Sequence, residues 1–221
     1  MDLAATTLPP EWVGASLLVA AFVLGWAAYA APWGRFASSE AVHVWYGTIF
    51  ALVVLWSIRA VLSTVVVIHL LGTAGFALAA GAPLALIGGA MVVLIAALVH
   101  GTPLANVAAV FLQNVMLPVG MALALLRISQ RVLPANFFVY AFAAGFLAPA
   151  LAFATAGLTG AAVIAATGGA ETAMIVDDYV PYLLYLAFAE GTLTGMLITL
   201  GVVYRPQWIA TFDDRRYLHG K

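Results

Sequence analysis

Glu190, His69 and His100 are the side chains hardest to explain as packing. Glu190 stands inside the apolar run AFAEGTLTGML, between the charge-free stretches 179–189 and 191–204. It falls about eleven residues into a helix beginning near 179, roughly 16 Å along it, close to the middle of a bilayer. An ionisable side chain at that depth costs at least ~2.5–3.5 kcal/mol on insertion scales, so it needs a reason. It could bind an ion or substrate, carry a proton, or bridge two helices. Thr194, one turn further on, is placed to hydrogen-bond it.

His69 opens one apolar segment, IHLLGTAG, and His100 closes another before Gly101-Thr102-Pro103. Because the two segments run in opposite directions, both histidines fall at the same outer side, near the acidic pair Asp177-Asp178. Imidazole and carboxylate at one face suit a divalent transition metal. For His100, beside a Gly-Thr-Pro turn, an interfacial structural role is the commoner reading. His43 and His219 fall at the opposite interface and in the tail. A b-type haem is disfavoured, because no two histidines sit one above the other on facing segments. Asn106, Gln113 and Asn114 precede Pro118, and Asn106 and Gln113, seven apart, share a helix face. Buried amides line a ligand cavity or hydrogen-bond between helices. Pro118 lacks an N–H and frees a carbonyl one turn back, as happens where a helix bends round a cavity.

The elements that must position these groups follow from charge. The 221 residues include eight Lys and Arg and nine Asp and Glu, and 65% are hydrophobic. A soluble domain carries about 25% charged residues, and this chain carries 8%, too few to cover a surface in water. Disorder fails on the same ground. A net charge of −1 leaves no basic patch for nucleic acid, and the chain has no cysteine for disulfides or thiolate metal sites. No P-loop, HExxH or paired nucleophile and base is present, so the chain is not expected to be an enzyme. What remains is an all-α, polytopic membrane helix bundle.

A spanning helix needs about 20 apolar residues. The charge-free runs divide into seven spans, near 12–34, 41–59, 66–81, 83–100, 103–126, 136–157 and 179–204, forming one transmembrane domain over 1–205. Residues 160–170, rich in Gly, Ala and Thr, read as a weak stretch that could be re-entrant, and 206–221 as a cytoplasmic tail. Arg35, Arg127, Arg131, Arg205, Arg215, Arg216 and Lys221 gather on one face if the N-terminus is outside and the C-terminus inside. Arg59 alone would lie at an outer helix end. Asp2, Glu11, Glu171, Asp177 and Asp178 would lie outside too. The N-terminus, with Asp2 and Glu11 in place of basic residues, does not read as a cleaved signal peptide. Small residues four apart, Ala21/Gly25, Ala141/Gly145 and Gly191/Gly195, signal close helix packing.

At His69-Leu70-Leu71-Gly72-Thr73-Ala74 the sequence resembles the cobalt/nickel transport membrane proteins of the CbiM/NikM type. The likeness continues through GTPLANVAAVFLQNVMLPVG, LPANFFVYAFAAGFLAPALA and AEGTLTGMLITLGVVYRPQW, covering roughly 60–210. It is greatest to a proteobacterial CbiM-like branch whose chains end in a similar VVYRPxWxxTFDDRRYL tail. The resemblance implies a substrate-binding permease of an energy-coupling factor type ABC transporter, in a bacterial inner membrane. Its cargo would be a divalent metal ion such as cobalt or nickel, with no other cofactor. The transmembrane coupling subunit and the ATPases would be separate chains. His69 would be the primary metal ligand, His100 and Asp2 further ones, with Asn114, Gln113, Glu190 and Thr194 lining or bracing the cavity. Two departures stand against this pattern. The family begins Met-His and supplies metal ligands from there, whereas this chain begins Met1-Asp2-Leu3. Its Thr-Ser-Gly before the histidine is here Val66-Val67-Ile68. The alternative is therefore a non-transporting membrane subunit or assembly factor that keeps the fold and has lost the metal site.

Overall fold

The fold is that of a computed structural model, which describes residues 3, 8–61, 67–167 and 179–217. Its helices are α1 Pro10–Ala30, α2 Ser39–Ser57, α3 Thr73–Ala80, α4 Ala82–His100, α5 Leu104–Val132, α6 Phe137–Ala166 and α7 Val180–Tyr204. All but α3 are long and apolar enough to cross a membrane, six candidate spans among the described residues. A two-residue antiparallel pair, Ala60–Val61 with Val67–Ile68, precedes α3.

The expected third span, 66–81, is therefore corrected. The chain makes a strand, a turn and the eight-residue α3 there. Eight residues rise about 12 Å, far short of a bilayer. Such a segment survives at membrane depth only when buried in protein with its backbone groups satisfied. Thr73, Ala74, Phe76, Ala77 and Leu78 of α3 are all buried. The stretch expected to be weak after 157 continues α6 helically to Ala166; residues 168–170 lie outside the described ones.

Two helices carry a wide π turn just before a proline, Leu112–Met116 before Pro118 in α5 and Tyr140–Leu147 before Pro149 in α6. Proline cannot donate to the carbonyl four residues back, and the turn widens around the gap. In α5 this buries three consecutive residues, Gln113, Asn114 and Val115. Helices α6 and α7 meet through glycine. A Cβ on Gly191 would lie 2.7 Å from the Phe146 carbonyl oxygen, and one on Gly145 would lie 3.5 Å from the Gly195 Cα. Backbones can approach this closely only without side chains.

Residues 206–217 fold back onto the bundle. Phe212 and Tyr217 stack with ring centres 5.2 Å apart, and Tyr140 of α6 packs on both. Arg216 donates to the Gln130 carbonyl at 2.6 Å, and Arg35 to the Ala80 carbonyl at 3.1 Å. These bonds bring the α1–α2 connection, the end of α5 and the tail to one end of the bundle. The His69 turn lies at the other end of α3, where Leu71 and Gly72 reach Glu190 in the middle of α7.

Candidate functional site

The His69 turn is built by its neighbours more than by its own residues. Gly72 takes a left-handed conformation, φ 67°, that turns the chain from the strand pair into α3. The main-chain N–H groups of Leu71 and Gly72 both donate to the carboxylate of Glu190, at 2.9 and 2.7 Å. Glu190 is 1% exposed. Leu71 and Gly72 stand just ahead of the first residue of α3, and a carboxylate suits that end of the helix dipole. Trp56 of α2 donates its indole N–H to the Leu71 carbonyl at 2.9 Å. Its ring packs on the His69 imidazole with centres 4.9 Å apart. His69 Nδ1 lies 3.0 Å from the Leu70 carbonyl oxygen. Only an N–H pairs with a carbonyl, so Nδ1 carries a proton in this contact.

A second layer holds α3 to α5. Thr73 donates its hydroxyl to the Asn114 carbonyl at 2.8 Å, the carbonyl that Pro118 releases. Gln113 donates to the Ala156 carbonyl at 3.1 Å and accepts from the Leu3 N–H at 3.2 Å. Asn106 donates to the Leu3 carbonyl at 3.0 Å. Leu3 is thus held by both of its peptide groups inside the bundle, 4% exposed.

Two small cavities meet at His69. One, of about 20 Å³, is also lined by Trp56, Arg59, His100 and Thr102. The other, also about 20 Å³, is lined by Leu71, Gln113, Asn114, Phe153 and Tyr179. Each is the size of a single water or ion.

The candidate residues are distributed unevenly around this turn. His69 shares one cavity with His100 and the other with Gln113 and Asn114. Glu190 stands behind the turn and lines neither. Thr194 makes no hydrogen bond to Glu190: its methyl group packs against Gly75 of α3, where a Cβ would lie 2.8 Å from it. One helical turn puts the two residues on the same face, where Glu190 meets the chain just ahead of α3 and Thr194 meets α3 itself. Asp2, Asp177 and Asp178 lie outside the described residues. Among the described residues, no three His, Asp or Glu form a group able to hold a metal ion. Sequence reasoning missed Thr73, the Leu3 backbone and Trp56. Pro118 was the available signal for Thr73, since it identifies a carbonyl in need of a donor. Nothing local pointed to the other two.

The family model described as "Cobalt uptake substrate-specific transmembrane region" matches residues 2–208. No curated protein and no solved structure matches the chain.

Proposed function

We infer the role of this chain from its membership: it belongs to the family of cobalt-uptake substrate-specific transmembrane regions. It binds a divalent transition-metal ion as cargo at the His69 turn, within an energy-coupling factor type ABC transporter whose coupling subunit and ATPases are separate chains. Cobalt and nickel both suit imidazole nitrogen. His69 is the primary ligand, His100 a second across their common cavity, and Asp2, next to the bracketed Leu3, a third. Asn114 and Gln113 line the site. Glu190 braces it. The supporting observation is the pair of bonds from Leu71 and Gly72 to Glu190. They fix the turn that carries His69 between two ion-sized cavities, the rigidity that a ligand set needs. The protein sits N-out and C-in in a bacterial inner membrane, with the arginine-bearing end toward the ATPases.

Calorimetric titration of the purified protein with Co²⁺ and Ni²⁺ tests this reading. His69→Ala should weaken binding by at least about 100-fold, beyond what loss of an outer-shell partner does. Unchanged affinity would sink the assignment.

A second reading is a membrane subunit or assembly factor that keeps the fold without moving metal. It is favoured by Asp2 where the metal transporters carry histidine, and by Arg59, a cation, in the wall of the cavity between His69 and His100. Under it, the wild-type chain binds neither metal and is recovered in a stable complex lacking ATPases.

A further inference from the structure

Between α2 and α7 the bundle has a lateral groove of about 850 Å³. Gly47, Ala51 and Leu52 of α2 form one wall, Leu197 and Gly201 of α7 the other, and Gly75 of α3 the floor. Toward the tail it runs into a pocket of about 360 Å³ that reaches Arg35, Trp45 and Gln207. Glu40, Val44, Thr48, Phe76, Ala79 and Trp208 line both spaces, so the two adjoin.

Charge is confined to one end of this space. The Arg205 guanidinium lies over the Trp208 ring, 5.9 Å from its centre. Trp208 donates its indole N–H to Glu40 at 2.7 Å, which fixes the ring on which Arg205 rests. Arg35 spends one N–H on the Ala80 carbonyl, at 3.1 Å, and has four more. Two guanidinium groups and one carboxylate leave this mouth net positive. The rest is apolar and lies between two candidate spans.

We propose that the groove holds one anionic phospholipid, its phosphate between Arg35 and Arg205 and its acyl chain along α2 and α7 over Gly75. Arginine is the side chain best matched to phosphate oxygens, and an indole beside it is the usual furniture of a membrane interface. The inner pocket argues against a partner helix as occupant. A helix is about 10 Å wide, and laid in the groove it would leave the adjoining pocket lined by Arg35 and Gln207 unfilled. A headgroup fits there. The lipid so placed touches the same α3 whose first turn carries the Glu190 bonds. This reading does not depend on what the His69 turn binds.

The test is native mass spectrometry of the full chain in detergent doped with either dioleoylphosphatidylglycerol or dioleoylphosphatidylcholine. One phosphatidylglycerol should be retained at a several-fold lower lipid concentration than phosphatidylcholine. Arg35→Gln and Arg205→Gln should each weaken its retention by about fivefold, the contribution of one basic residue near an anionic lipid surface. Gly47→Leu gives a control that leaves the mouth intact. A side chain at Gly47 meets nothing within the protein and projects into the groove, so both lipids should be lost. Equal retention of the two lipids by the wild type, or unchanged phosphatidylglycerol retention in all three variants, overturns the proposal. So does a photo-crosslink from residue 47, in native membranes, to a protein chain instead of a lipid.

Discussion

The two ends of α3 are finished in different chemistries. At its start, two main-chain N–H groups converge on one buried carboxylate, supplied by Glu190 from a helix 118 residues further along the chain. At its end, the carbonyls of Leu78, Ala79 and Ala80 are met by several separate donors, two residues of the tail and one guanidinium. Thr211 N–H and hydroxyl reach Leu78 at 3.2 and 2.8 Å, Ala210 N–H reaches Ala79 at 2.9 Å, and Arg35 reaches Ala80. The end beside His69 thus depends on one side chain that nothing nearby can replace. The other end depends on several bonds in parallel, half of them from backbone. A short helix held at membrane depth needs both ends satisfied, but only one of them has been made to hinge on a single residue.

Glu190→Ala breaks the first end outright and should have the largest effect. The buried Leu71 N–H and the half-buried Gly72 N–H lose their acceptor, a cost of roughly 2–5 kcal/mol, readable as a large fall in the thermal unfolding midpoint in detergent. Exchange of the amide hydrogens at 71–73 should accelerate while those of the tail at 210–211 stay slow. Glu190→Gln sharpens the point. Its amide keeps one acceptor oxygen and turns a donor toward the other N–H, so about half of the loss should remain. Thr211→Val attacks the opposite end and should cost only about 1 kcal/mol, because the backbone bonds from residues 210 and 211 persist. It removes the hydroxyl from Leu78 and from the Tyr140 hydroxyl at 2.7 Å. If Thr211→Val loosens 71–73 as much as Glu190→Ala does, the two ends act as one unit and the contrast drawn here is wrong.

Much of the bundle was legible because charge is so scarce. Once charged residues cannot face lipid, the gaps between them become candidate spans, and six helices long and apolar enough to cross a membrane lie among the described residues. The 66–81 segment was not legible, because hydropathy responds to apolar burial and not to what is doing the burying. Val67-Ile68 is β-branched and Gly72 breaks the helix, but inside an apolar run both signals are weak. Glu190 could be singled out by depth alone, since a carboxyl there needs a partner. That its partners include two peptide N–H groups needed the fold of a segment more than a hundred residues away. The amide pair behaved similarly. A regular 3.6-residue period puts Gln113 and Asn114 on different bearings, and the π turn before Pro118 buries both.

Because Glu190 lies close to the middle of the 25-residue α7, the turn bonded to it sits near half the thickness of the membrane. A charged cargo resting there would have traversed part of the transmembrane voltage before release. With half of the drop crossed, each unit of charge adds or removes roughly 1 kcal/mol of binding free energy per 100 mV. Occupancy would then respond to the energised state of the cell even without nucleotide hydrolysis. Metal affinity measured in vesicles clamped at opposite polarities should differ for that reason, and an affinity indifferent to voltage would put the ion at a surface instead.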